Sequence, residues 1–172
     1  KPTPITDNEW YRYGRSQYLN LGDINEKIIV GVMAMGEKYP IDRYRTLHTA
    51  GGTAGYCSIY LSDNNPYSIY YIQAIINSKY VEWIIHLRGE VFRGGYMARG
   101  TKVLNNIPIR VIDFGNLNDK NQHDEIVKTQ IEIISIQDEI DHNTGNRRIL
   151  VPLLRQFIRE KASLETLLAN LY

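Results

Sequence analysis

Eleven residues of this 172-residue sequence stand where their types and neighbours suit nucleic acid, and they fall into three groups. Arg12, Arg15 and Gln17 stand in the aromatic and basic run Trp10-Tyr11-Arg12-Tyr13-Gly14-Arg15-Ser16-Gln17-Tyr18. Arg43, Arg45 and His48 belong to the polar, glycine-rich stretch from Asp42 to Gly55. Arg88, Arg93, Tyr96, Arg99 and Lys102 surround the pair Gly94-Gly95. A guanidinium can hold guanine O6 and N7 with both arms, a glutamine amide can do the same for adenine, and the remaining donors suit phosphate oxygens. Interleaved glycines let backbone amides approach a duplex closely. Taken singly, each residue reads as a solvated surface charge. Together the three groups predict a surface for double-stranded DNA.

No comparable pattern supports catalysis. Ala50-Gly51-Gly52-Thr53-Ala54-Gly55 lacks the Gly-Lys-Ser/Thr ending of a phosphate-binding loop and reads as a flexible turn. His48, His86, His123 and His142 are far apart and have no cysteine partners, so they read as surface or core residues rather than metal ligands. The sequence has no Gly-x-Ser-x-Gly elbow, and no Asp is followed at short range by the acid-x-Lys triplet of a nuclease. Asp63-Asn64-Asn65-Pro66-Tyr67 resembles the Asn-Pro-Pro-Tyr loop with which adenine-N6 methyltransferases grip a flipped adenine. Asn65 replaces the first proline, however, and no glycine-rich cofactor loop lies upstream, so the expectation is a turn followed by a helix cap. The chain is expected to carry no catalytic residue, metal site or cofactor of its own.

Composition sets the frame around these groups. Hydrophobic residues make up 43% of the chain, enough for a packed core. No apolar stretch reaches the roughly 18 residues of a membrane span, and Lys1 to Asn8 lack the apolar centre of a signal peptide. The single cysteine, Cys57, excludes an intrachain disulfide and reads as a core residue in a reducing compartment. A soluble, cytoplasmic protein is expected. Pro2, Pro4 and the absence of an initiator Met lead to the further expectation of a fragment from a longer protein. The net charge of +1 is unevenly spread. From Lys79 to Arg110, six basic residues face two acids, whereas from Asp113 to Tyr172 seven face ten. One part of the chain can thus face phosphates while another cannot.

The elements that must position these residues follow from periodicity. Lys27 to Met33 is a β-branched run bounded by turn residues, the pattern of a buried strand, and Tyr56 to Leu61 predicts a second strand. Ile69, Ile72, Ile76, Tyr80, Trp83 and Leu87 recur at steps of three or four and predict one helix of about 22 residues, with Asn65 and Pro66 at its start and Gly89 at its stop. Glu90 to Arg99 and Lys102 to Asp113 read as strand-like segments, and Asn116 to Gln122 as a linker. Two long helices are predicted beyond it, the first marked by Ile126, Val127, Ile131, Ile133, Ile134 and Ile140 and the second running from Ile149 to Leu171, with Pro152 tolerable only in a first turn. The predicted fold class is α/β (α+β): a mixed domain with a twisted sheet and a central helix over residues 1–115, then an antiparallel helical hairpin over 116–172.

The order of segments adds a resemblance. Tyr13-Gly14-Arg15-Ser16-Gln17, Lys27-Ile28-Ile29, Gly55-Tyr56, Ala74-Ile75-Ile76-Asn77-Ser78-Lys79, Phe92-Arg93-Gly94-Gly95-Tyr96, Leu104-Asn105-Asn106-Ile107-Pro108-Ile109 and His123-Asp124-Glu125-Ile126-Val127 together resemble the TaqI-like C-terminal specificity domain. That family forms the target-recognition part of adenine-N6 DNA methyltransferases and fused restriction-modification enzymes, and is related to the specificity subunits of type I systems. The resemblance covers roughly residues 10 to 140. It implies that this module grips the duplex and reads bases in the major groove. The partner it implies is the protein's own N-terminal methyltransferase domain, which would bind S-adenosylmethionine and flip the adenine, with Mg2+ serving any nuclease part. Gly14-Arg15 matches the family's Gly-Arg pair, and Asn77-Ser78 its Asn-Ser, for which a packing role is expected. The C-terminal hairpin would be a spacer or docking element, or simply a cap on the core. A different reading makes the chain a protein-interaction module that docks through those helices.

Overall fold

The computed structural model describes residues 26–36, 39–46 and 55–172. The β-branched run after Glu26 forms strand β1 (Lys27–Gly31), bends at Val32, and resumes as β2 (Met33–Ala34). One predicted strand therefore serves two sheets. Strand β1 is central to an antiparallel sheet of order β3-β1-β4, flanked by β3 (Ile41–Asp42) and β4 (Tyr56–Ile59). In that sheet Lys27 pairs with Asp42, and Val30 with Cys57.

The predicted 22-residue helix is two helices, α1 (Ile69–Ile76) and α2 (Lys79–Arg88). Asn77 and Ser78 break it. The Ser78 hydroxyl accepts the Val81 N–H and starts a new helix, as short polar side chains do at N-caps. The Asn77 amide accepts the Tyr39 N–H at 3.1 Å and donates to the Tyr39 carbonyl at 3.3 Å, clasping the chain as it enters β3. The break turns the predicted stripe outward: Ile69 and Ile76 are buried, whereas Tyr80, Trp83 and Leu87 are exposed and α2 buries Val81 and Ile85 instead. The first cap is Ser68, which accepts the Tyr70 N–H, rather than Asn65.

Gly89 ends α2 as expected, for a steric reason. A Cβ there would lie 2.6 Å from the Ile85 carbonyl oxygen and 3.1 Å from Met97 Cε. Gly89→Ala is therefore expected to lower unfolding stability by about 1–3 kcal/mol in a urea titration. A neutral result would contradict this close approach.

Beyond Gly89 the chain forms a hairpin whose returning strand β5 (Met97–Ala98) pairs with β2, with an isolated bridge between Val91 and Met97. Residues 102–113, expected as strand, hold only a short helix α3 (Thr101–Leu104) and irregular chain. Extended Gly100 opens that turn, the Asn106 amide closes it on the Lys102 carbonyl at 2.7 Å, and Pro108 has no N–H to offer a ladder.

The expected linker is also replaced. Asn116 accepts the N–H groups of Asn118 and Asp119 and so caps helix α4 (Leu117–His142). Helix α5 (Arg147–Ala169) follows a short turn capped by Asn146, completing the predicted helical pair. Pro152 is the sixth residue of α5, not in the first turn. Its missing N–H leaves the Arg148 carbonyl on an exposed face where water can satisfy it. Helix α4 packs on α1, and Ile126, Ile133, Leu164 and Leu168 share one core with Ile28, Val30, Ile75 and Ile85. A buried amide chain runs through that contact: Gln130 donates to Gln73 at 2.9 Å, and Gln73 donates to the Tyr39 carbonyl at 2.8 Å. The architecture is the expected mixed α+β class with a C-terminal helical pair, its sheet reduced to two small antiparallel ones.

Candidate nucleic-acid interface

The second basic group is built on a buried ion pair. Lys27 Nζ lies 3.0 Å from Asp42 Oδ2, with the lysine side chain wholly buried. The same carboxylate accepts the N–H groups of Tyr44 at 2.9 Å and Thr46 at 2.7 Å, and the Thr46 hydroxyl at 2.9 Å. Burial on its own would raise the Asp42 pKa, but the Tyr44 amide, the Lys27 ammonium and Thr46 outweigh it and hold the carboxyl at about 2. This carboxylate winds residues 43–46 into a turn with Arg45 at φ 53°. Arg43, Tyr44 and Arg45 project from it, with Tyr44 91% exposed and Arg43 set 6.0 Å from the centre of the Tyr70 ring.

The third group divides into one inward and four outward residues. Arg99, expected on the DNA surface, is 0% exposed. Its guanidinium grips both carboxylate oxygens of Glu82 on α2, donates to the Tyr39 hydroxyl at 2.7 Å and reaches the Ala34 carbonyl at 3.4 Å. Burial alone would weaken the charge, but the bonds to Glu82 and Tyr39 outweigh it and raise the guanidinium pKa further. The same bonds lower that of Glu82. Arg99 thus ties β5 to α2 and to the segment entering β3, and with four of its five donors engaged and its side chain wholly buried it is turned away from any surface ligand.

The other four residues stay outside. Phe92 and Tyr96 close the hairpin, the Phe92 N–H donating to the Tyr96 carbonyl at 2.7 Å, with Gly94 at φ 86° and Gly95 at φ 84° between them. Glycine supplies these two left-handed positions without strain. Arg93 and Tyr96 are exposed at this tip. Arg88 and Lys102 are exposed and, with Glu90, line a cavity of about 360 Å³ whose walls include Val32, Phe92 and Val103. Lys102 lies 3.5 Å from Glu90 in a solvent-exposed pair, while Arg88 and Arg93 make no ion pair with any described residue.

Register fixes how the two groups sit. The Asp42 turn continues past the Lys27 end of β1, and the hairpin tip lies beyond its Gly31 end. Four extended residues between those ends span about 13 Å. Arg12, Arg15, Gln17 and His48 lie outside the described residues.

Three features were not singled out from sequence as site residues: Tyr44, Thr101 and Asn106. Tyr44 had a signal, being an aromatic between two arginines; the other two become visible only through the cavity they line. The loop that resembles a methyltransferase motif is structural. The Asn65 side chain accepts the Tyr67 N–H at 3.0 Å, and the Tyr67 hydroxyl accepts the Ile112 N–H at 2.8 Å. The Tyr67 ring packs against Tyr71, Phe114 and His123 and is not free to stack on a base. His123 accepts the Ser68 N–H on Nε2, which places its proton on Nδ1, 2.9 Å from Asp124. Among the described residues no cluster of His, Cys, Asp and Glu could hold a metal ion, and no helix is long and apolar enough to cross a membrane.

The chain is 45% identical, over all 172 residues, to part of the type II restriction enzyme and methyltransferase RM.Eco57I of Escherichia coli. It spans 17% of the length of that relative. No family model matches the chain, and no solved structure matches it.

Proposed function

We propose that this chain is the DNA-reading part of a restriction-modification enzyme, a target-recognition module that grips double-stranded DNA and positions a target adenine for a methyltransferase domain elsewhere in a longer polypeptide. The observation that carries the reading is the division of charge. Asp42 and Arg99 are buried and spent on internal bonds, while Arg43, Arg45, Arg88, Arg93 and Lys102 are held outward by the frames those two build. The identity to part of a restriction enzyme and methyltransferase supports the same reading. Chemistry that depends on S-adenosylmethionine or Mg2+ falls, in this reading, to the remainder of the polypeptide.

If the five outward cations engage phosphates, the slope of log affinity against log salt is expected to be about −4.5, a loss of roughly 500-fold between 50 and 200 mM salt. Anisotropy of a labelled duplex measures it. No binding at low salt, or affinity indifferent to salt, would contradict the proposal.

A second reading, docking of a protein through the C-terminal helices, is favoured by the exposed apolar residues Ile149, Leu154 and Ile158 of α5. A helix-mediated oligomer that sediments identically with and without duplex would support it.

A further inference from the structure

The cavity between the hairpin and α3 has features that a phosphate-gripping surface does not need. Val32, Phe92 and Val103 give it apolar lining, and Phe92 is half-buried. On its rim the Asn106 side chain donates to the Lys102 carbonyl, which leaves Asn106 Oδ1 without a bond to any described residue. The Thr101 hydroxyl likewise makes no side-chain bond to a described residue and lines the same space. Arg88 lines it without an ion-pair partner among the described residues, and the lining Lys102 is paired among them only in the exposed contact with Glu90, which also lines the cavity. Exposed pairs of that kind are weak and easily exchanged.

An apolar slot with an aromatic wall, a free amide oxygen, a free hydroxyl and a cation at the rim matches one ligand chemistry, a single nucleotide. The base would enter edge-first along Phe92, its donors and acceptors would meet Asn106 and Thr101, and its phosphate would meet Arg88 and Lys102. The volume of about 360 Å³ lies at the small end of the range for ligand sites. A planar base that leaves a stack loses its neighbours and gains from a wall of this type.

We infer that this cavity binds one nucleotide, with Phe92 and Asn106 holding the base and Arg88 the phosphate. Two sources share the chemistry: an extrahelical nucleotide of bound DNA and a free mononucleotide. The first rests on the duplex-binding reading above; the second does not.

Calorimetry or saturation-transfer NMR of the protein with each deoxynucleoside 5′-monophosphate, and with inorganic phosphate, tests the inference. At least one nucleotide is expected to bind about fivefold or more tightly than phosphate, with that margin abolished by Phe92→Ala or Asn106→Ala. Arg88→Gln should weaken nucleotide and phosphate alike. Arg88 is exposed and makes no side-chain bond to a described residue, so its variant reports on binding even if Phe92→Ala or the loss of the Asn106–Lys102 bond perturbs the fold. Nucleotide binding no tighter than phosphate, or indifferent to Asn106→Ala, would overturn the inference.

Parallel anisotropy with a fully paired duplex and one carrying a single unpaired nucleotide separates the sources. A preference of about tenfold for the unpaired nucleotide, lost in Asn106→Ala, assigns the cavity to extrahelical DNA. Mononucleotide binding without that preference assigns it to free nucleotide. Duplex binding without nucleotide binding sinks this inference alone, whereas nucleotide binding without duplex binding sinks only the duplex reading.

Discussion

Replacing Arg99 by leucine is expected to lower the free energy of unfolding by about 3–5 kcal/mol, because it strands the Glu82 carboxylate without its counter-charge. The magnitude follows from the location of the pair. Arg99 is wholly buried and bonds to α2, β2 and Tyr39, so truncation leaves a void and removes the guanidinium from the Glu82 carboxylate and the Tyr39 hydroxyl at once. The double variant Arg99→Leu/Glu82→Leu should recover much of the loss, since a well-packed apolar pair can replace a buried ion pair at little cost. Urea titrations of the two single variants and the double variant give the coupling directly. A loss below about 1 kcal/mol for Arg99→Leu would mean that the arginine behaves as a surface residue, returning it to the set that could touch DNA.

A comparable loss is expected for Asp42→Ala, again about 3–5 kcal/mol, because the substitution removes a carboxylate from a fully buried ammonium and leaves the N–H groups of Tyr44 and Thr46 without their acceptor. The carboxyl is held at about 2 against an ordinary 3.8, so between those values the unfolded chain holds the proton that the folded one has released. The stability it contributes is therefore fully present above about pH 4 and lost as the pH falls toward about 2. A pH series of urea midpoints should show the wild type losing stability over that window more steeply than Asp42→Ala. Parallel curves would contradict the assigned role. Unwinding of the 42–46 turn should also cost duplex affinity even though Arg43 and Arg45 remain in place, which sets Asp42→Ala apart from a change that merely removes charge.

Several elements were legible because they depend on local pattern. The β-branched run after Glu26 and the apolar spacing of α4 and α5 record which segments form a strand and helices, and the structure buries Ile28, Val30, Ile126, Ile133, Ile140, Leu164 and Leu168 while leaving Ile131, Ile149, Leu154 and Ile158 exposed. The errors arise where a polar side chain takes on a tertiary role. Asn77-Ser78 lies inside an otherwise continuous helical pattern, and its capping chemistry is a readable local signal. Its weight, however, depends on Tyr39 lying within reach of the Asn77 amide. Asn116 reads equally well as loop or cap until an amphipathic helix is known to follow it. The 102–113 segment has the composition of a strand but pairs with no strand among the described residues.

The candidate site was legible in kind and not in membership. A run of arginines around glycines marks a basic surface, and Arg93 and Tyr96 do stand exposed on a two-glycine turn. Nothing near Arg99 in sequence distinguishes it from them. Its partner lies 17 residues earlier on a helix, and only the packing of β5 against α2 brings the two together. Cavity residues such as Thr101 and Asn106 have no sequence signature, because their significance lies in a shared space rather than a spacing.

The central claim is that the outward cations read sequence and do more than hold phosphate. Selection of bound duplexes from a randomised pool, followed by sequencing, tests it most directly, with the wild type and Arg93→Ala compared at one salt concentration. The expected result is enrichment of a discrete site by the wild type and relaxed preference at one position or more in the variant, since a bidentate base contact discriminates by about 1–3 kcal/mol. Recovery of unselected sequence by a wild-type protein that nonetheless binds duplex tightly would contradict it.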